Sequence, residues 1–309
     1  MPSIKELQRY KDIQRCEEFE RIKFYGKLLN IVKLDESYIF KIYDGSATAS
    51  FRVYTDQDLL ACYQNYELYL FEGYVGMGKR KYFKMERASL VPYSKELERT
   101  YYPERFKVLS DEMKNVYFLH LNKIKDDGIR YLVGLCLGIP VKGLSNSPGL
   151  QRVQDIYTSS FASIARHDSY QGGLVAHISG MLLQVEALEK VFGDSSVYRP
   201  EQMSGINWDI LRAIVYLHDC GKPATYQKLQ NGRVSWKDEM KLDHATMGVC
   251  YVYNRWVSCK DKVSEETAQK ILYGIANHMN DKATGLLELE IFRNLDKVDA
   301  ICADTSKWI

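Results

Sequence analysis

Residues 38–54 read YIFKIYDGSATASFRVY. Phe40 and Ile42 share one strand face before Asp44-Gly45, and Phe51 and Val53 share another after it. Alternation at period two is the mark of a half-buried strand, and Asp-Gly between two such runs is a hairpin turn. The pattern extends in both directions. FERIKFYGKLLNIVKLD (19–35), ELYLFEGYVG (67–76) and KRKYFKMERASLVPY (79–93) read as further strands, the last two joined by a Gly-containing turn.

About five short strands fit a small barrel of the oligonucleotide-binding type. The barrel, with its N-terminal segment, is assigned to residues 1–93. After Pro92 the period becomes helical. Residues 94–138 contain amphipathic helical stretches broken at Pro103 and near Gly128. PVKGLSNSPG (140–149) is a loop, so 94–149 is taken as a helical connector. From 150 to 309 the chain reads as helices, interrupted by 193–207 and by a polar loop at 226–242. The expected protein is multidomain: an all-β barrel followed by an all-α helical bundle. A length of 309 residues agrees with two domains of roughly 150 each.

A net charge of +2 leaves no whole-molecule field for polyanions, so any such affinity must come from local patches. One candidate is MGKRKYFKMER (77–87), where Lys79, Arg80, Lys81, Lys84 and Arg87 interleave with Tyr82 and Phe83. Cations that meet phosphates and rings that stack on bases form the usual non-specific grip on a single strand. A solvated hairpin with its aromatics in the core explains the same residues. Seven scattered cysteines without a CxxC pair suit free thiols in a reducing compartment. The longest apolar run, YLVGLCLGIPV (131–141), falls short of the ~20 residues that span a bilayer. The charged N-terminus shows no signal-peptide core. A cytoplasmic protein with no membrane association is expected.

Five of the six histidines lie between 150 and 309: 167, 177, 218, 244 and 278. Leu174, His177 and Met181 share a helical face. Leu211, Ile214, Val215 and His218 do the same on a helix starting near Asn207, with Gly221 and Pro223 as its stop. His244 opens a helix with Asp243 as a candidate cap, and His278 closes another. Asp296 and Asp299 are three apart on a helix and so are neighbours. A single histidine on an apolar face is usually a hydrogen-bonded core residue. Several at the inward ends of successive helices, with carboxylates, form a donor set for divalent ions such as Zn, Mn, Fe and Mg.

In this order the residues resemble the HD-domain metal-dependent phosphohydrolases. LHDCGK (217–222) is similar to that family's His-Asp-x-Gly-Lys, and RNLDKVDA (293–300) to its closing Ala-Asp-Arg-Leu-Asp-Ala segment. RHDSYQGGLVAHISGM (166–181) resembles the His-His-x-Tyr-x-Gly-Gly-Leu-x-x-His-Thr segment of YhaM-type 3′→5′ exoribonucleases, which join an oligonucleotide-binding barrel to an HD domain. The chain departs from the pattern at Asp168, at Met279-Asn280 where His-Gly is typical, and at Cys220, where the family usually has an apolar residue.

The resemblance implies two divalent ions bridged by Asp219. His177, His218 and Asp296 would complete the first site, and His244 and His278 would serve the second. Manganese is the first expectation, with Mg, Fe, Co, Ni and Zn as alternatives. Metal-activated water would attack phosphorus, Lys222 would steady the phosphoryl oxygens, and His167 would contact substrate or move a proton. The implied function is exoribonuclease action on single-stranded RNA or DNA, with Lys79, Arg80, Lys81, Tyr82 and Lys84 gripping the strand and the chain as a candidate homo-oligomer. Two alternatives stand beside it: hydrolysis of a small nucleotide with a regulatory barrel, and non-catalytic binding of nucleic acid or protein.

Overall fold

The computed structural model of the chain describes residues 4–35, 37–54, 63, 67–78, 81–92, 94–101, 109–163, 168, 170–193, 205–228, 234–237, 242–283 and 285–303. The chain divides into two compact units, 1–106 with 305–309, and 107–304.

Among the described residues, the first unit holds a sheet of six strands: β1 (Lys5–Leu7), β2 (Arg21–Lys33), β3 (Tyr38–Tyr43), β4 (Thr48–Val53), β5 (Leu68–Gly76) and β6 (Tyr82–Leu90). Their order is β4-β3-β2-β5-β6, antiparallel along this path, with β1 added to β2 in parallel. The length of β2 lets it serve several partners: residues 21–27 pair with β5, and 27–33 with β3 across a bulge at Leu28/Asn30. The hairpin at Asp44-Gly45 forms as the sequence indicates. Gly45 takes a φ of +86°, and Asp44 Oδ1 accepts the N–H groups of Ser46 and Ala47 at 2.9 Å.

Alternation in β3 buries Tyr38, Phe40 and Ile42. They join Ile22, Phe24, Leu28, Phe51, Val53, Phe71, Val75 and Phe83 in one core. Phe24 lies near its centre, with ring centroids 4.8 Å from Phe83 and 5.6 Å from Phe71. The rings of Phe51 in β4 and Phe83 in β6 are 5.2 Å apart, so the two ends of the path curl toward each other. No hydrogen-bonded ladder joins those ends among the described residues. The expected closed barrel is therefore not shown; the observed form is an open, curled sheet. Strand count gives the number of elements and says nothing about closure. A short helix, α1 (Lys95–Tyr101), follows the sheet.

The second unit holds α2 (Asp111–Leu119), α3 (Asp127–Leu137), α4 (Pro148–Thr158), α5 (Gly173–Gly193), α6 (Trp208–Leu217), α7 (Lys222–Thr225), α8 (His244–Val257), α9 (Glu265–Asn277) and α10 (Leu287–Ala303). Helix starts are written in the sequence. Ser110, Asp126, Ser147, Asn207, Asp243 and Ser264 each accept a backbone N–H of the first turn that follows. Each such cap contributes about 1 kcal/mol.

Helix α6 is buried at every residue from Ile210 to Leu217, not on one face alone. The reason is its central place: α3, α5, α9 and α10 all pack on it. Arg212 is carried inside with it and is paired to Glu189. Tyr117, Leu121, Ile129, Leu132 and Leu137 share one apolar core with α5 and α6. Part of the expected polar loop at 226–242 is instead a two-stranded hairpin, β7 (Tyr226–Lys228) with β8 (Val234–Trp236). No helix among the described residues is long and apolar enough to cross a membrane.

Candidate metal centre

Five helices deliver the candidate ligands. Helix α5 carries His177 between Leu174 and Met181, all three buried. His218 caps α6, its N–H bonded to the Ile214 carbonyl at 2.8 Å. The chain then turns through Cys220 N–H to Leu217 O (3.1 Å) and Lys222 N–H to Asp219 O (2.9 Å), which leaves Asp219 facing inward and buried. His244 is the first residue of α8, His278 caps α9, and Asp296 lies in α10.

Gly221 and Pro223 stop α6, but not through a left-handed glycine. Gly221 has φ −81° and ψ −16°, ordinary right-handed values. Glycine is required there for closeness: a Cβ would lie 1.9 Å from the His244 carbonyl oxygen and 2.7 Å from the Gly248 nitrogen. That contact lets the start of α8 approach Asp219. Pro223 sits in the first turn of α7, where a missing N–H costs nothing.

Asp219 divides its two oxygens. Oδ2 lies 3.1 Å from His218 Nε2 and 4.0 Å from His177 Nε2. Oδ1 lies 3.4 Å from His244 Nε2 and 3.9 Å from His278 Nε2. His177 Nε2 is also 3.3 Å from His218 Nε2 and 3.2 Å from Asp296 Oδ1, and the Nε2 atoms of His244 and His278 are 3.2 Å apart. The donors thus form two sets, His177/His218/Asp296 and Asp219/His244/His278, each with its atoms within 4.8 Å.

The far nitrogens fix the tautomers. His218 Nδ1–H donates to the Val215 carbonyl at 2.9 Å, and His278 Nδ1–H to the Ile275 carbonyl at 2.7 Å. A carbonyl only accepts, so the Nε2 of each neutral ring is a lone pair. Those lone pairs converge on the Asp219 carboxylate and on other imidazoles, an arrangement that needs a cation or extra protons between them. Imidazole nitrogens oriented through their second nitrogen, with a shared carboxylate, fit a borderline divalent ion. His244 Nδ1 is buried with no partner among the described residues.

Electrostatics follow the same layout. Burial opposes charge on His177, but hydrogen bonds to Asp296 and Asp299 outweigh it and raise its pKa to about 10. Burial likewise works against the Asp296 carboxylate, and the His177 hydrogen bond overcomes it, lowering the pKa to about 2. Asp219 resists its own burial through the charges of His218 and Lys222 and lies well below the usual carboxylate range. Burial, then the charge of His218, lowers His278 to about 4; burial also lowers His244. Lys222 is buried, ion-paired to Asp219 Oδ2 and donating to the Ala162 carbonyl. It is a fixed positive charge inside the site, not a solvated lysine at a helix end.

One residue of the site escaped the sequence reading. Asp299 Oδ2 accepts the Nδ1–H of His177 at 2.7 Å, and Asp168, His177 and Asp299 form a third donor set. Spacing had marked Asp299 only as a neighbour of Asp296. His167, Lys79 and Arg80 lie outside the described residues. Of the remaining strand-grip candidates, Tyr82 and Lys84 are exposed, with Lys84 Nζ 5.3 Å from the centroid of the Tyr74 ring. Lys81 Nζ donates to the Gln14 and Cys16 carbonyls at 3.1 and 2.5 Å, and Phe83 is in the core.

No family model matches the chain. Over 137 residues, 43% of this chain, it is 30% identical to the dihydroneopterin 2′,3′-cyclic phosphate phosphodiesterase of Methanocaldococcus jannaschii. The match covers 50% of that protein, so the chain spans about half the length of the curated relative it matches. Among solved structures it is similar to a replication protein A heterotrimer bound to single-stranded DNA, at 13% identity over 31% of this chain and 86% of that one, TM-score 0.26. It is also similar to asparaginyl-tRNA synthetase from Pyrococcus horikoshii, at 13% identity over 41% of this chain and 32% of that one, TM-score 0.24. Neither structural likeness is strong enough to carry an argument. The sequence relative is a phosphodiesterase, in keeping with an HD-type phosphohydrolase; the exoribonuclease type expected from the sequence finds no support there.

Proposed function

We propose that this protein is a metal-dependent phosphodiesterase. The observation that carries the reading is the division of Asp219, one oxygen toward His177 and His218 and the other toward His244 and His278. Such a carboxylate can bridge two divalent ions, with Asp296 completing the first set. Bound there, the ions would act as Lewis acids on phosphoryl oxygens and make a water nucleophilic near neutral pH.

The chain's own groups prepare that chemistry. Asp219 is held anionic by the charges around it. Carbonyls of Val215 and Ile275 and the carboxylate of Asp299 keep three imidazoles oriented with Nε2 inward. Lys222 places a positive charge beside Asp219, where it can also meet the negative charge of a phosphoryl group. Burial of all four ligand histidines limits competing water.

Two substrates suit this site. Single-stranded RNA, degraded from its 3′ end, is supported by the resemblance of 166–181 and by the exposed Tyr82 and Lys84 of β6. A small 2′,3′-cyclic phosphate is supported by the relative, which acts on such a compound. Manganese-loaded protein incubated with end-labelled RNA and with 2′,3′-cyclic phosphates separates them. A ladder shortening from the 3′ end establishes the first; ring opening of cyclic phosphates with RNA untouched establishes the second. No turnover of either class with any divalent metal would overturn the phosphodiesterase reading and leave the non-catalytic binder.

A further inference from the structure

The hairpin β7–β8 stands beside the second donor set. Tyr226 and Trp236 are cross-strand partners, with T-shaped rings 4.9 Å apart. The hairpin is fastened at its base: Lys237 N–H donates to the Thr225 carbonyl at 2.9 Å and Lys237 Nζ to the Pro223 carbonyl at 3.1 Å. Thr225 and Pro223 belong to α7, the element that carries Lys222, so the rings are held in fixed relation to the site.

Both rings adjoin a candidate ligand. Each has its centroid 6.4 Å from that of His244, and the Trp236 plane is tilted only 27° from the imidazole. The charge of Asp219 reaches the Tyr226 phenol, whose pKa is raised first by burial and second by that charge. Tyr226 is thus packed against the site while Trp236 remains 46% exposed. Exposed apolar side chains also flank the ligands in the chain: Leu242 precedes Asp243 and His244, and Met279 follows His278. The indole thus presents a flat apolar surface, half in water, beside a charged, buried donor set, a surface that a planar ring can cover.

We infer that Trp236 is a specificity-determining residue, whose exposed face stacks on the planar heteroaromatic ring of a phosphoester held at the metal centre. The inference rests on the phosphodiesterase reading for the position of the phosphate. A ribose is all that separates phosphate from base in a nucleotide, and Trp236 stands one ring away from His244. Stacking on a tryptophan accepts any flat ring, so the residue selects for the presence of a ring and not for its identity.

Adenosine 5′-monophosphate and ribose 5-phosphate carry the same phosphate, with and without a ring. Calorimetric titration of each into the manganese-loaded full chain reads the ring's contribution directly. Wild type should bind the nucleotide more tightly. Trp236→Ala should weaken it roughly five- to a hundred-fold, leave ribose 5-phosphate unchanged, and be largely rescued by Trp236→Phe. Equal wild-type affinities, failure of both probes to bind, or an equal loss of both in Trp236→Ala would overturn the inference. Turnover is scored separately. A ring-dependent loss without hydrolysis of any diester keeps the stacking surface and removes the phosphodiesterase; hydrolysis without a ring-dependent loss does the reverse.

Discussion

Gly221→Ala puts the close approach of α8 to Asp219 under direct strain. The added Cβ would stand 1.9 Å from the His244 carbonyl oxygen and 2.7 Å from the Gly248 nitrogen. Both obstacles are backbone atoms of α8, so no side chain can swing aside. Reaching a tolerable 3.0 Å requires a separation of about 1.1 Å between the turn and the helix start. His244 Nε2 is 3.4 Å from Asp219 Oδ1, and a shift of that size would open the second donor set. Overpacking of this kind costs about 1–3 kcal/mol, which lowers the melting temperature by roughly 2–12 °C. Misplacement of a reacting group by 1 Å costs about a hundred-fold in rate. Differential scanning calorimetry, manganese titration and turnover of whichever diester the protein hydrolyses would read the three effects. Gly149→Ala is the control, since its Cβ would meet nothing within 4 Å. It should be neutral or stabilising by about 0.4–1 kcal/mol. Unchanged melting and unchanged manganese affinity in Gly221→Ala would refute the account of this glycine.

Three further outcomes are expected. Asp219→Ala removes the oxygens that face both histidine sets and should abolish turnover and reduce manganese stoichiometry by at least one; surviving turnover would show that the site is misassigned. Asp299→Ala should weaken manganese binding by about 10- to 100-fold by freeing the His177 ring, whereas Asp299→Asn keeps an acceptor for Nδ1–H and should retain most of the affinity. Equal losses in the two variants, read by calorimetry, would speak against orientation of the ring. Manganese uptake at pH 7 should release protons, because His177 with a pKa of about 10 must lose one to become a ligand. Affinity should then rise with pH, by about tenfold per unit for each proton released, and a pH-independent affinity would refute it.

Local signals were readable where the chemistry is local. Asn207 and Asp243 stand where caps belong, and the structure uses them as caps. The inward placement of His177, His218, His244 and His278 was legible from helix ends and apolar spacing, and all four are buried, whereas Asp296 was singled out by the family resemblance. What failed was decided by parts distant in sequence. Gly221 read only as a helix stop, and the arrival of α8 explains why it must be glycine. Asp299 could not be told from Asp296 by spacing, since both fall on the same side of α10 and the neighbour on α5, His177, settles which carboxylate meets which ring nitrogen. The three-residue β1 carries too little pattern to read, and its parallel pairing to β2 is set by the sheet. The β7–β8 pair was hidden because three-residue strands in a polar stretch carry too little alternation to read.

The buried charges of the site make a last prediction about stability, because protons and metal ions compete for the same nitrogens. In chelator-treated protein, His177 has its pKa raised from 6.5 to about 10, so it binds its proton more tightly folded than unfolded. Its contribution is fully present below pH 6.5 and is lost as pH rises through about 10. His278 moves the other way, from 6.5 down to about 4, so its contribution is present above 6.5 and is lost as pH falls through about 4. The two windows meet near pH 6.5, where these groups together should favour the folded state most. Chelation should therefore lower the melting temperature without unfolding the protein, since Leu211, Ile214, Val215 and Leu217 of α6 stay packed in the apolar core whatever occupies the donors. The loss on chelation should grow from pH 6 to pH 9, because metal affinity rises while the His177 contribution fades. Melting curves with and without chelator at pH 5, 6.5 and 9 would test this. A chelation effect that shrinks with pH would show that His177 does not exchange its proton for the metal.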